Sequence, residues 1–225
     1  MKDFLSRVWL RSNQAGWNPH IFEWYFRSTP IGRSFRTREE DMVFGFLGTV
    51  LKPHHAVLEI GSGTGNYTVP VASRCAEVVA VDSSPGMLRY LRERCHYANL
   101  DNLDLRLGHL PGGLGVSEIF DGVLAVGVLN YVEPLEESLH KLSSILKPGG
   151  WAVFNLPVST PEGWLYALEE LLLHRRRINI LSVEEMIGLT ERVGLKVQAT
   201  APAGLSKGGI TCFLLATSQG VDQEE

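Results

Sequence analysis

The chain lacks most of the devices that would declare its chemistry at once. Its 225 residues include three cysteines, Cys75, Cys95 and Cys212. They form no C-x-x-C pair, and no cysteine or histidine falls at metal-ligand spacing, so neither a disulfide framework nor a bound metal is expected. No apolar run reaches bilayer-spanning length. The opening M-K-D-F-L-S-R-V-W-L is too short and too charged for a signal-peptide core. A cytoplasmic protein with no membrane partner is therefore expected. Positive charge is not in excess either: the formal net charge is −4, which gives no electrostatic case for a nucleic-acid partner. There is no internal repeat. What remains is an ordinary globular composition, 44% hydrophobic and 20% charged, at a length that suits one α/β domain with a large core.

Against that plain background one stretch stands out: A-V-L-E-I-G-S-G-T-G-N-Y-T, residues 56–68. An apolar run ends in a glycine-rich turn, and a helical pattern follows. Gly61, Gly63 and Gly65 carry no Cβ, so a ligand can come close to their backbone, and the helix offers unpaired N–H groups near its start. The dinucleotide fingerprint G-x-G-x-x-G would need its third glycine at position 66, which is Asn66. The acidic Glu59 just before the turn would repel a pyrophosphate and attract an ammonium and a sulfonium. S-adenosylmethionine carries both and has no phosphate.

The rest of the chain reads as alternating strand and helix. Strands are expected at 56–60, 77–81, 103–107, 120–126 and 151–156, with helices over 66–74, 85–97 and 134–146 and a turn at 147–150. Such alternation implies a doubly wound, mostly parallel sheet with helices on both faces. Residues 161–177 read as an inserted helix with Trp164, Leu165, Leu168, Leu171 and Leu172 at helical spacing, ending in Arg175-Arg176-Arg177, a solvated helix end. Ser182 and Glu185 form a capping-box signature. Two final strands, 195–201 and 210–217, are close enough to form an antiparallel hairpin. Residues 218–225 are polar and expected to be disordered. Residues 1–50 are rich in aromatics and expected to be helical, with a longer helix over 36–51; they form a lid candidate in which Trp17, Trp24 and Tyr25 would face substrate. Residues 51–217 would form the ligand-binding domain.

V-L-E-I-G-S-G-T-G resembles the first motif of class I S-adenosylmethionine-dependent methyltransferases of the small-molecule type. The segment W-Y-F-R-S-T-P-I-G-R-S-F-R-T-R-E-E, residues 24–40, resembles the stretch before that motif in many of them, and F-D-G-V-L-A-V-G-V-L-N-Y-V, residues 120–132, resembles their fourth motif. The resemblance implies their Rossmann-like fold of seven strands with the last one antiparallel. It also implies methyl transfer from S-adenosylmethionine, leaving S-adenosylhomocysteine, to oxygen, nitrogen or carbon of a small, partly apolar acceptor. Alternatives are a non-catalytic S-adenosylmethionine-binding module and an RNA or protein methyltransferase.

Residue by residue, the resemblance puts Glu59, Gly61, Ser62, Gly63 and Gly65 beside the cofactor's amino-acid moiety and Asp82 on the ribose diol, where a carboxylate can accept two hydrogen bonds. Ser83 and Met87 flank ribose and adenine. The family's usual Gly-Asp after the third strand is Gly108-His109 here, a departure that leaves His109 to face adenine, substrate or solvent, while the Leu110 backbone keeps the adenine role. The backbone near Val126 would receive the ammonium, and Arg33, or else Arg36, would meet the carboxylate. Tyr131 stands where many relatives have histidine, which makes Tyr131 and His109 the catalytic candidates. The Asn-Pro-Pro-Tyr tetrad of base and amide methylation is missing.

Overall fold

The computed structural model describes residues 18–203 and 209–217; the expectations for Trp17 and for residues 218–225 lie outside them. Seven strands, β1 (Ala56–Ile60), β2 (Glu77–Asp82), β3 (Leu103–Leu107), β4 (Phe120–Ala125), β5 (Leu146–Pro157), β6 (Leu195–Pro202) and β7 (Ile210–Thr217), form one sheet of order β3-β2-β1-β4-β5-β7-β6. β1 pairs in parallel with β2 and β4, β2 with β3, and β4 with β5. β7 runs antiparallel to both β5 and β6, as the short connection between the last two strands predicts. The central strands are buried on both faces, which is why V-V-A-V and V-L-E-I read as continuous apolar runs and not as alternation.

Successive side chains on each strand serve opposite faces. Leu58, Val79, Val123 and Phe154 pack on one side, and Val57, Val78, Leu124 and Val153 on the other. The helices are α1 (Pro19–Ser28), α2 (Pro30–Val50), α3 (Thr68–Ala72), α4 (Pro85–Tyr97), α5 (Leu135–Ser144), α6 (Pro161–His174) and α7 (Val183–Arg192). α2 contributes Val43 and Leu47 to the second face. The capping box of Ser182 and Glu185 forms as expected. Among the described residues no helix is long and apolar enough to cross a membrane.

Several boundaries differ from the sequence reading, among them the end of the inserted helix, which stops at His174 with Arg175 in the left-handed region, and three others have a clear cause. α2 begins at Pro30 instead of position 36, because Thr29 caps it and Pro30 takes the first turn, where a missing N–H costs nothing. Gly32 is a packing residue there: a Cβ would lie 2.4 Å from the Tyr25 carbonyl oxygen. α3 is shorter than expected, since Gly65, at φ +87°, keeps the chain in the turn. The expected turn at 147–150 is an irregularity inside β5, where pairing passes from Phe120–Leu146 to Gly122–Trp151.

The sheet's two ends are built differently. At the amino end Asp121 Oδ2 accepts from the Ala56 N–H at 2.8 Å and from Lys147 Nζ at 2.9 Å, tying β1, β4 and β5 together. At the carboxyl end the strand order reverses between β1 and β4, the place where open α/β sheets leave a crevice for ligands.

Candidate functional site

The crevice floor is the turn after β1. The Val81 carbonyl accepts from the N–H groups of Gly61 (2.8 Å) and Ser62 (3.1 Å), and Gly65 N–H donates to Ser62 O at 2.9 Å. Gly61, Gly63 and Gly65 have φ of +71°, +52° and +87°, the left-handed region that glycine enters without steric cost. Their surroundings separate their roles. A Cβ on Gly61 would lie 2.3 Å from Val128 Cγ2, and one on Gly65 would lie 2.3 Å from Leu91 Cδ1. A Cβ on Gly63 would meet no protein atom nearer than 3.9 Å. Gly61 and Gly65 are thus required by internal packing, and Gly63 alone presents open backbone.

Two carboxylates border the turn. Glu59 is buried and its carboxyl is pushed up to about 8. Burial is the main cause; the Thr68 hydroxyl offsets part of it, although its geometry falls short of an ordinary hydrogen bond, and the charge of Asp82 adds to it. Glu59 Oε2, Ser62 Oγ and Thr68 Oγ1 are buried with no hydrogen-bond partner among the described residues. Unpaired buried polar atoms are costly, and three around one turn are what a polar ligand would satisfy. Asp82, at the end of β2, accepts from Gly63 N–H and Ser84 N–H, each at 2.8 Å, one on each oxygen. Burial raises its pKa, while the N–H groups of Ser84, Gly63 and Ser83 pull it back. Each oxygen keeps a lone pair for a hydroxyl donor. Ser83 is exposed, and Met87 is buried in the first turn of α4.

α1 closes over the turn. The Thr64 hydroxyl donates to Glu23 Oε1, and Arg27 pairs with the other Glu23 oxygen. From α4, Arg94 Nη1 reaches the Thr64 carbonyl at 2.8 Å. Of the two arginine candidates, Arg33 is exposed on α2, whereas Arg36 is turned inward. The Arg36 guanidinium lies 4.2 Å from the Phe26 ring centre, pairs with Glu39 at 3.3 Å, and buries an unpartnered Nε. Glu39 is the centre of a buried network. It accepts from Tyr67 Oη (2.8 Å) and Asn155 Nδ2 (2.7 Å), and Asn155 Oδ1 accepts from Gly127 N–H at 2.6 Å. The network fixes the backbone after β4, where Val126 sits half-buried. Of the lid candidates, Trp24 is exposed and Tyr25 half-buried; burial and the nearby charge of Glu169 raise the Tyr25 phenol.

The two catalytic candidates part company. His109 is exposed, with its ring against Gly113 and its Nδ1 3.2 Å from the Leu110 carbonyl, while Leu110 itself is buried. Tyr131 is held by Asn179, which donates from its backbone to Asn130 O and from its side chain to Leu129 O and Val132 O. The Tyr131 hydroxyl lies 2.9 Å from that of Tyr166 and donates to Glu170 Oε1 at 3.4 Å. Burial, then the Glu170 charge, pushes it up to about 12. Tyr166 and Glu170 were not identified from the sequence, though their i, i+4 spacing on the inserted helix was a usable signal. Glu23, Glu39 and Asn155 had none, because their partners lie far away in the chain. Among the described residues no group of three or more histidines, cysteines and carboxylates could hold a metal ion.

Comparison with known proteins fits this geometry. Residues 57–150 match the family model described as "Methyltransferase domain". A demethylmenaquinone methyltransferase of Tropheryma whipplei (strain Twist) is 38% identical over 96 residues, 42% of this chain and 38% of that protein. The match thus spans well under half of that relative. In three dimensions the chain resembles the magnesium protoporphyrin IX methyltransferase of Synechocystis PCC 6803 with bound S-adenosylhomocysteine (TM-score 0.75, 14% identity, 97% of this chain and all of that one, 100%). It also resembles the (4+2)-cyclase SpnF (TM-score 0.63, 14% identity, 80% and 81% of the two chains).

Proposed function

We propose that this chain, whose residues 57–150 match a methyltransferase-domain model, is a class I enzyme that moves a methyl group from S-adenosylmethionine to a small, partly apolar acceptor in the cytoplasm. The observation that carries this reading is the turn after β1: an open Gly63 backbone, a ring of unpaired buried polar atoms, and two buried carboxylates. A cationic ligand with a diol satisfies all three; a pyrophosphate would meet the Asp82 carboxylate and would gain nothing from ionising Glu59. When bound, S-adenosylmethionine supplies a methyl group on an already activated sulfonium.

The chain's own residues then have to bind, orient and exclude water. Asp82 accepts the ribose hydroxyls on its remaining lone pairs, with Ser83 and Met87 alongside. Glu59 favours the ammonium and sulfonium electrostatically, Ser62 and Thr68 gain partners, and the backbone carbonyl near Val126 takes the ammonium. Leu110 provides the adenine contact, and His109 borders it from the exposed side. Arg36, turned inward, is better placed than Arg33 for the carboxylate. Tyr131, with its pKa pushed up to about 12, stays protonated near neutral pH and, by giving up its 3.4 Å bond to Glu170, can donate a hydrogen bond that orients the acceptor. α1 forms the lid, with Tyr25 facing α6.

Two proteins that this chain resembles are named for small molecules, demethylmenaquinone and magnesium protoporphyrin IX, which supports a small acceptor. The likeness to a cyclase keeps a second reading open, a cofactor-binding fold without methyl transfer. Calorimetry with S-adenosylhomocysteine and NADH, followed by transfer of tritiated methyl groups into fractionated extracts, decides between them. Binding of S-adenosylhomocysteine with labelled product is expected. Binding without any labelled product favours the second reading, and NADH binding alone rejects both.

A further inference from the structure

α6 is mounted with its polarity inverted. Its inward face carries Gly163, Tyr166 and Glu170, and that rotation is locked. A Cβ on Gly163 would lie 2.0 Å from the Val158 carbonyl oxygen, so this side of the first helical turn is packed against the segment that follows β5, and Tyr166 reaches Tyr131 at 2.9 Å. The outward face consequently carries an apolar stripe, with the exposed Glu169 at one edge. Trp164 is 56% exposed, Leu165 65% and Leu172 69%, with Leu168 and Leu171 close to half exposed between them. At 3.6 residues per turn these five side chains fill one continuous stripe. Monomeric proteins seldom leave such a stripe to water.

The charges around the stripe indicate what covers it. Arg175 and Arg177 are exposed just past the helix end. The neighbouring α1 comes close enough for Glu169 of α6 to act on Tyr25. A tryptophan at one end, leucines along the face and arginines at the other end are the chemistry of a helix that lies in an interface beside anionic headgroups. The chain's own residues 1–17 would bring Lys2, Arg7 and Arg11 against Arg175 and Arg177, which disfavours them as the cover.

We propose that the outer face of α6, with Arg175 and Arg177, docks this protein on an anionic lipid surface without crossing it. The docking face then lies on the same helix that holds Tyr131 from within, so the acceptor side of the crevice is presented to the bilayer.

Co-sedimentation of the full chain with vesicles of equal parts phosphatidylglycerol and phosphatidylcholine, and with phosphatidylcholine alone, tests this. Binding to the anionic vesicles that weakens as salt is raised is expected, with little binding to the neutral ones. Leu165→Glu/Leu172→Glu and, separately, Arg175→Glu/Arg177→Glu should each lower partitioning by about tenfold or more. Retained S-adenosylhomocysteine binding shows that the variants fold, and the vesicle readout does not depend on methyl transfer. Wild type that stays in solution with both vesicles overturns the proposal. So do stripe variants that bind like wild type. A dimer in sedimentation velocity that Leu165→Glu/Leu172→Glu dissolves, with no vesicle binding, assigns the stripe to a second copy instead.

Discussion

Replacing Glu59 by glutamine should make the ligand-free protein more stable, not less. The Glu59 carboxyl sits at about 8 in the fold against a reference of 4.5. A carboxyl whose pKa is raised on folding contributes its full stability below the unfolded value, where it is protonated in both states. That contribution is lost as pH climbs from the unfolded value through the folded one. At about 1.4 kcal/mol per unit, the loss is roughly 3 kcal/mol at pH 7 and about 5 kcal/mol above pH 8. Glutamine keeps the shape and removes the titration. Urea unfolding between about pH 5 and 9 should therefore show wild type falling with pH and Glu59→Gln nearly flat, the two converging at the acid end. Ligand binding should reverse the order. A sulfonium and an ammonium beside Glu59 favour its ionised form, so binding near pH 7 should release up to about one proton per molecule, measurable by calorimetry in buffers of different ionisation enthalpy. Glu59→Gln should not release this proton and should bind S-adenosylmethionine less well, relative to S-adenosylhomocysteine with its uncharged sulfur, than wild type does. A Glu59→Gln protein no more stable than wild type at pH 9 would refute the reasoning, since the buried carboxylate would then have a partner that satisfies it.

The other expectations follow from the same turn and its supports. Gly63→Val should leave the protein folded, at a cost of about 1–2 kcal/mol for a side chain at positive φ, yet abolish S-adenosylhomocysteine binding; retained affinity would show that the open side of Gly63 is not the ligand's. Gly65→Ala should do the opposite, lowering stability in urea by about 1–3 kcal/mol through its clash with Leu91. Asp82→Ala should weaken binding by about 1–3 kcal/mol, from lost charge-assisted hydrogen bonds, and unchanged affinity would remove Asp82 from the ribose site. Asn155→Ala leaves the Glu39 carboxylate and the Gly127 N–H short of a partner, and thermal unfolding should register about 3 kcal/mol.

Most of the sheet was legible in the residues because its strands are short, apolar and punctuated by turn chemistry. V-V-A-V ending in Asp82, and two runs joined by a loop, specify a parallel strand and an antiparallel hairpin from local pattern alone. What misled the reading was local pattern that tertiary context overrode. Pro30 and Gly32 look like breakers but open a helix, and Lys147-Pro148-Gly149-Gly150 looks like a turn but stays within a strand. The glycine turn was legible as a site, yet the separate tasks of its glycines were not, because Val128 and Leu91 come from other elements. The carboxylates that organise the interior, Glu23 and Glu39, look in sequence like ordinary helix surface. Only the fold shows that one meets Thr64 and the other Asn155, 41 and 116 residues away. His109 was chosen from its position relative to a motif, and position does not determine where a ring lies.

The pin at Asp121 has a consequence for how this protein can change. It joins the amino ends of β1, β4 and β5 with ordinary satisfied bonds, while the unsatisfied groups are gathered at the opposite rim. Rigidity and reactivity are therefore held at opposite poles of the same three strands. A substitution that strengthens the Asp121 pole need not disturb the rim, so this scaffold can gain stability without the usual cost to function. Drift in ligand preference, conversely, can proceed around the rim while the far pole keeps the sheet in register.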